Sequence, residues 1–263
     1  MEENNTSSLE EQNQQETEEL TPLTNMEAIT GVLTEPASTF DSIVKNKTKH
    51  YWVVPIIIFI VANLIAMILF YADQELYSTV LNKQRKNLEE RFDKSIKEGK
   101  MSAEQKNMAM EQAEKFMDPK SPFAIAIAGA ASIVGPFIIM LIVSVIYLVC
   151  FKIIKAEFEF INILNVVGLS FIVSSISKIL ETVLSIITGN LTNFSLAFIF
   201  TEAKFGATLN TLVSKIDLFS IWALIITCIG LTIIGKVKSK VMYFFVFGLW
   251  IVWTLVATLF IPS

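Results

Sequence analysis

Five long apolar stretches, the first divided from the rest by a densely charged block, constrain this chain more than any other feature. Residues 51–72, 121–151, 160–177, 218–235 and 241–263 carry no charged side chain. Each run is near or above the roughly 18 to 20 residues that a helix needs to cross about 30 Å of hydrocarbon. The pattern predicts an all-α, polytopic integral membrane protein: a five-transmembrane-helix bundle with spans at about 52–71, 123–151, 161–187, 218–235 and 241–261.

Composition supports this reading and excludes several function classes. Hydrophobic residues make up 53 % of the chain and 20 residues are Phe, more than a soluble domain of this size can cover with polar surface. The net charge of −4 is unevenly placed, since ten of the 25 acids precede Tyr51 and ten more fall between Asp73 and Asp118. No large basic field remains for a nucleic acid. The two cysteines, Cys150 and Cys228, both fall in predicted spans, where thiols behave as small hydrophobes, and no disulfide framework is expected.

The first 25 residues lack the basic and apolar regions of a cleaved signal peptide, so insertion is expected to begin at the Trp52 block. Residues 1–25 read as a disordered acidic tail, too poor in apolar groups to offset the entropy of ordering. Ile29, Val32, Leu33, Phe40, Ile43 and Val44 then recur at helical spacing, so residues 26–50 read as amphipathic helices lying on the membrane, the second begun by Pro36. Lys45, Lys47 and Lys49 would sit among anionic headgroups, at about 1 kcal/mol each.

The charged block 73–120 predicts a helical hairpin outside the bilayer, between spans one and two. Tyr77, Leu81, Leu88, Phe92 and Ile96 line one face of its first arm; Ser102 and Gln105 have capping-box spacing at the start of the second. Met101, Met108, Phe116 and Met117 are expected to pack on the first arm. In the second span, Gly135 and Pro136 predict a kink or tilt, and Ala124, Ala128 and Ser132 form a small-residue stripe that lets another helix approach. Between spans three and four, Phe194, Leu196, Phe198, Ile199 and Phe200 suggest an interfacial or re-entrant segment.

Lysines in the short connections set the expected orientation. Lys45, Lys47 and Lys49, then Lys152 and Lys155, then Lys236, Lys238 and Lys240 all fall on one side if the N-terminus is cytoplasmic and the C-terminus is outside.

Lys178 and Glu181 are the one ionisable pair deep in a predicted span. Each alone at a helix centre costs roughly 2.5 to 3.5 kcal/mol, and at three-residue spacing they share a face and can neutralise each other. Ser174, Ser175, Ser177 and Thr182 surround them, so this helix turns a polar side toward the bundle or a wet cavity. Either a structural ion pair or a proton or ion pathway fits that pattern. Asn63 and Asn165 are expected to make interhelical hydrogen bonds. With His50 the only histidine, no metal site is expected; Gly-x-Ser-x-Gly and phosphate-loop patterns are absent too, so no catalytic residue and no cofactor is assigned.

Three places together resemble the bacterial branch of the Yip family, membrane proteins named in eukaryotes as Ypt/Rab-interacting proteins. The first is Ile29, Val32, Leu33, Glu35-Pro36 and Thr39-Phe40, followed by Trp52 and Val54-Pro55. The second is Phe158, Phe160 and Leu164 through Gly168. The third runs from Lys215-Ile-Asp217 to Trp222, then Gly230-Leu231, Lys238-Ser-Lys240 and Trp250. The family-motif positions are therefore Pro36, Phe40, Pro55, Asp217, Trp222 and Gly230, with Asp217 placed to cap the first turn of span four.

The resemblance implies a five-helix bundle with a cytoplasmic N-terminus and no enzymatic activity. The Asp-Leu-Tyr-Gly-Pro motif of the eukaryotic cytosolic segment is missing, which argues against a GTPase partner. The leading expectation is a membrane scaffold or organiser whose partners are lipids, other membrane proteins or further copies of itself. The alternative is a small transporter or channel using the polar face of span three.

Overall fold

A computed structural model of the protein describes residues 22–45, 49–118, 121–196, 213–214 and 216–260. The acidic tail to residue 21, Lys47, Phe198 to Phe200 and the end of the chain lie outside the described residues. Among those described, nine helices carry the fold: α1 (Asn25–Thr34), α2 (Pro36–Lys45), α3 (Val53–Ala72), α4 (Gln74–Lys97), α5 (Ala103–Met117), α6 (Pro122–Ile153), α7 (Phe160–Thr188), α8 (Leu218–Ile234) and α9 (Ser239–Phe260).

Four of these, α3, α6, α7 and α9, are long and apolar enough to cross a membrane, and α8 is a shorter apolar helix of 17 residues. The molecule is an all-α polytopic membrane protein. Helix α7 is its axis: 67 % of its apolar window is buried, against 22 % in α3, 28 % in α6 and 11 % in α9. It packs against α3, α6 and α8, while α9 joins the bundle through α8. Pro136 sits inside α6, which runs unbroken from Pro122 to Ile153. The small-residue stripe of α6 turns toward α3, where the Ser132 hydroxyl lies 3.9 Å from Met67 Sδ.

Local chemistry explains the start of the chain. Thr24 caps α1: its hydroxyl accepts from Glu27 N at 3.2 Å, and the Glu27 carboxylate accepts from Thr24 N at 2.7 Å. That reciprocal pair satisfies two of the donors a helix start leaves open. Pro36 begins α2, where a missing N–H costs nothing.

These two helices do not simply lie on lipid. Ala28, Val32, Phe40 and Ile43 are fully buried, because α2 packs on α8 and α1 on α7. Glycines make that approach possible. A Cβ on Gly230 would lie 2.6 Å from Val166 Cγ1 and 3.0 Å from Phe40 Cε2, so the Phe40 ring fills a notch that any side chain would close. A Cβ on Gly168 would meet Trp52 Cβ at 2.5 Å and its Cα at 2.7 Å, so here backbone stands against backbone. The apolar stripe of α1 and α2 is thus covered by protein, which packs more densely against it than acyl chains can.

The chain end of the bundle formed by α1, α2 and the starts of α3, α7 and α9 is called the near end below; the other is the hairpin end. There Asp73 caps α4 through Leu76 N at 2.9 Å, and the Ser102–Gln105 capping box starts α5. The two arms are tied by Arg85 to Glu114 at 2.9 Å and by Lys106 to Asp93. Met108 and Phe116 are exposed, contrary to the expected packing on the first arm. The arms meet through charged side chains, and the Phe116 ring turns instead to Phe123 of α6, 5.6 Å away between centroids.

Gly168→Ala forces a methyl group against backbone and is expected to cost about 1 to 3 kcal/mol. It should lower the thermal unfolding midpoint of detergent-solubilised protein clearly below wild type. Gly129→Ala, whose added methyl meets nothing within 4 Å, should leave it unchanged or slightly raised. A second outcome concerns acid. Hydrogen bonds from the Thr24 backbone and hydroxyl groups hold the Glu27 carboxyl below its ordinary value. A depressed folded value means the contribution is full above the ordinary carboxylate range and is lost as pH falls below that range and through the depressed value. Hydrogen-exchange protection factors in α1, taken relative to the intrinsic exchange rate at each pH, should therefore fall on acidification below about pH 4, and Glu27→Gln should remove most of that dependence.

Candidate functional site

Ser174, Ser177, Lys178 and Glu181 follow a helical i, i+3, i+4, i+7 spacing and so project from one side of α7. Opposite them the chain re-enters the bundle at the start of α8. Together with Phe59 of α3 and Asp217, Phe219 and Ser220 of the α8 start, they line a cavity of about 260 Å³. It lies toward the hairpin end, since a Cβ added at Gly189, which ends α7, would lie 3.9 Å from Glu75 Oε1 of α4.

Each charged group in the cavity is held differently. Asp217 caps α8: its Oδ1 accepts from Phe219 N at 2.9 Å and from Ser220 N at 3.0 Å. The Ser177 hydroxyl donates to Glu181 Oε1 at 3.0 Å. Lys178 and Glu181 line the same cavity without closing an ion pair, and among the described residues Lys178 makes no ion pair at all. The expected mutual neutralisation is thus replaced by a cavity with one cation and two carboxylates on its walls. All three side chains belong to half-buried residues.

The returning chain frames the site. Ser195 and Asp217 form an isolated antiparallel bridge, with Leu196 N donating to Ile216 O at 3.0 Å and Leu218 N to Phe194 O at 3.2 Å. The Phe194 ring packs edge-on to Phe219 with centroids 5.4 Å apart. Behind this bridge lies a second, apolar cavity of about 580 Å³, walled by Leu184, Phe194, Leu196, Leu218 and Ile221, and sharing Asp217 with the first.

The structure separates the sequence-predicted positions into two groups. Lys178, Glu181 and Asp217 meet in the cavity. Pro36, Phe40, Pro55 and Gly230 lie at the near end, where Phe40 and Pro55 are buried. Trp222, one turn inside α8, is half-buried with its ring 6.5 Å from that of Phe219. Sequence reasoning read Asp217 only as a helix cap and missed Phe59 and Ser220 as cavity walls; no spacing along the chain connects α3, α7 and α8. Neither asparagine makes the expected helix-to-helix bond: Asn165 hydrogen-bonds the backbone of Lys49 and Trp52 in the loop before α3, and Asn63 donates to Phe59 O of its own helix. Cys150 and Cys228 are free and buried. Among the described residues no three His, Cys, Asp or Glu groups come together as a metal site.

Fold and site together define a multi-span helical membrane protein with a charged recess toward its hairpin end. Its sequence matches the family profile of the Yip1 domain over residues 30–261, and the chain belongs to that family. No curated protein and no solved structure shows a significant match.

Asp217→Ala removes the acceptor for two backbone N–H groups and is expected to cost about 1 kcal/mol. Asp217→Asn, which keeps an acceptor oxygen, should unfold close to the wild-type temperature, and the comparison of the two by thermal unfolding separates the cap from the charge.

Proposed function

We propose that this Yip1-domain protein is a non-enzymatic scaffold or organiser of the cell membrane, working through lateral contacts with lipids, other membrane proteins or its own copies. The observation that carries the reading is the packing of the near end. Phe40 in the Gly230 notch, Trp52 against Gly168, and Phe151 stacked on Phe158 at 5.4 Å fill the space between the helices there. A polar cavity at the hairpin end that meets such packing is a recess and not a passage.

The lateral faces support the same reading. Phe244, Ile251, Val252 and Trp253 of α9 are exposed, and so are Ile138, Ile139, Leu141 and Ile142 of α6. Apolar side chains on those two faces have only lipid or another protein in the bilayer to meet. Lys49, Lys152, Lys155, Lys236, Lys238 and Lys240 lie in the connections of the near end, which favours a cytoplasmic near end and N-terminus, with the C-terminus outside.

A photo-crosslinking residue at Phe244 or Trp253 in the native membrane should give discrete protein adducts, while the same group at buried Val246 should give none. Lipid adducts alone at every exposed position would count against a scaffold. The polar recess is the one feature that favours solute movement. Purified protein in liposomes is expected to show no proton or ion flux; flux abolished by Glu181→Gln would establish transport instead.

A further inference from the structure

We infer that the charged cavity and the apolar cavity behind it form one binding site for a lipid whose headgroup carries a phosphate and a primary amine, of the phosphatidylethanolamine type. The inference rests on the reading that lipids are among this protein's partners, and it names the lipid and the place. Three observations lead to it.

The first is the set of unmet polar atoms. Glu181 Oε2 and Asp217 Oδ2 have no hydrogen-bond partner among the described residues, since the partners of these two side chains are all on Oε1 and Oδ1. Lys178 Nζ and the hydroxyls of Ser174 and Ser220 likewise face the cavity without a partner among the described residues. A half-buried charge left so is costly. A primary ammonium brings three donors to the two carboxylate oxygens, and a phosphate brings acceptors to Lys178 and the hydroxyls. The groups on the wall thus match a zwitterion of both chemistries and match a plain anion or cation only in part.

The second is depth. Helix α8 has 17 residues and rises about 25 Å, less than the roughly 30 Å of hydrocarbon. Its start at Asp217 is level with Glu181, which lies about 10 Å short of the end of α7. The short helix leaves a recess beside its longer neighbour, at the boundary where headgroups meet acyl chains.

The third is the adjoining apolar cavity. It shares Asp217 with the charged one, so a molecule seated against Asp217 meets carboxylates on one side and Leu184, Leu196, Leu218 and Ile221 on the other. A soluble amine phosphate uses only the first half of that site; a lipid uses both.

The test uses detergent-purified full-length protein and short-chain phosphatidylethanolamine, phosphatidylcholine and phosphatidylglycerol, with glycerophosphoethanolamine as the soluble probe. Binding is read by native mass spectrometry and by the lipid-induced shift in thermal unfolding. Phosphatidylethanolamine should bind about tenfold more tightly than phosphatidylcholine, whose quaternary amine has no N–H to donate, and than phosphatidylglycerol, which has no amine. Glu181→Gln keeps the acceptor for Ser177 and should reduce that preference to about twofold or less; Lys178→Met should weaken all three lipids. The lipid-free unfolding midpoint of each variant reports whether it is folded, and if Lys178→Met is not, Glu181→Gln decides alone. Equal binding of all three lipids, or a preference unchanged in folded Glu181→Gln, overturns the site while general lipid contact, seen as retained lipid of any kind, still stands. Glycerophosphoethanolamine competing as well as the lipid overturns the part assigned to the apolar cavity.

Discussion

Just before α3, the backbone of Lys49 and Trp52 comes against the central helix α7. Asn165 of α7 meets them: its side-chain oxygen accepts from Trp52 N at 3.2 Å and its amide donates to Lys49 O at 3.1 Å. One buried side chain thereby fixes where the first span starts relative to the central helix. A buried backbone group left without a partner costs about 1 to 3 kcal/mol, so the position is held by hydrogen bonding as well as by packing. The Leu23 carbonyl extends the same clasp, accepting from Tyr51 Oη at 3.0 Å and from Lys49 Nζ. Through these contacts the segment before α1, the loop before α3 and the axis of the bundle become one unit.

Helix α7 shows how one helix can serve two ends of opposite character. Its first half presents Val166, Gly168 and Asn165, groups that let other elements come close. Its second half presents Ser174, Ser177, Lys178 and Glu181, which hold elements apart around a cavity. Close contact at the Gly168 level gives way, along the same helix, to a cavity at the Lys178 level. The returning strand-like segment at Ser195 lies beside the start of α8. The near end is therefore built by small residues and the far recess by polar ones, along a single 29-residue helix.

Much of this was legible in the sequence because it depends on local rules. Helix starts at Pro36, Ser102 and Asp217 are announced by local chemistry that acts over three or four residues, and the structure uses each as expected. Spans follow from runs without charge. What stayed hidden is what crosses between helices. The amphipathic stripe of α1 and α2 reads the same whether lipid or protein covers it, because both ask only for apolar side chains. Gly230, 190 residues beyond Phe40, is what lets protein cover it. In the hairpin the error ran the other way: Met108 and Phe116 looked like a core, but Arg85, Glu114, Lys106 and Asp93 form the seam.

Asp217 shows why a capping residue and a site residue need not compete. A carboxylate has two oxygens, and the turn geometry at a helix start uses one of them for two N–H groups. The second oxygen is left facing whatever lies ahead of the helix. Where α8 begins at the surface that would be water; here it begins level with Glu181, so the spare oxygen faces the recess. The position of the helix start, set by the length of an apolar run, thus turns an ordinary cap into part of a charged wall. It also explains why Lys178 and Glu181 need not pair with each other: with a second carboxylate across the cavity, a lysine drawn to one acid leaves the other uncompensated, and a wall that stays open to a third party can satisfy all three.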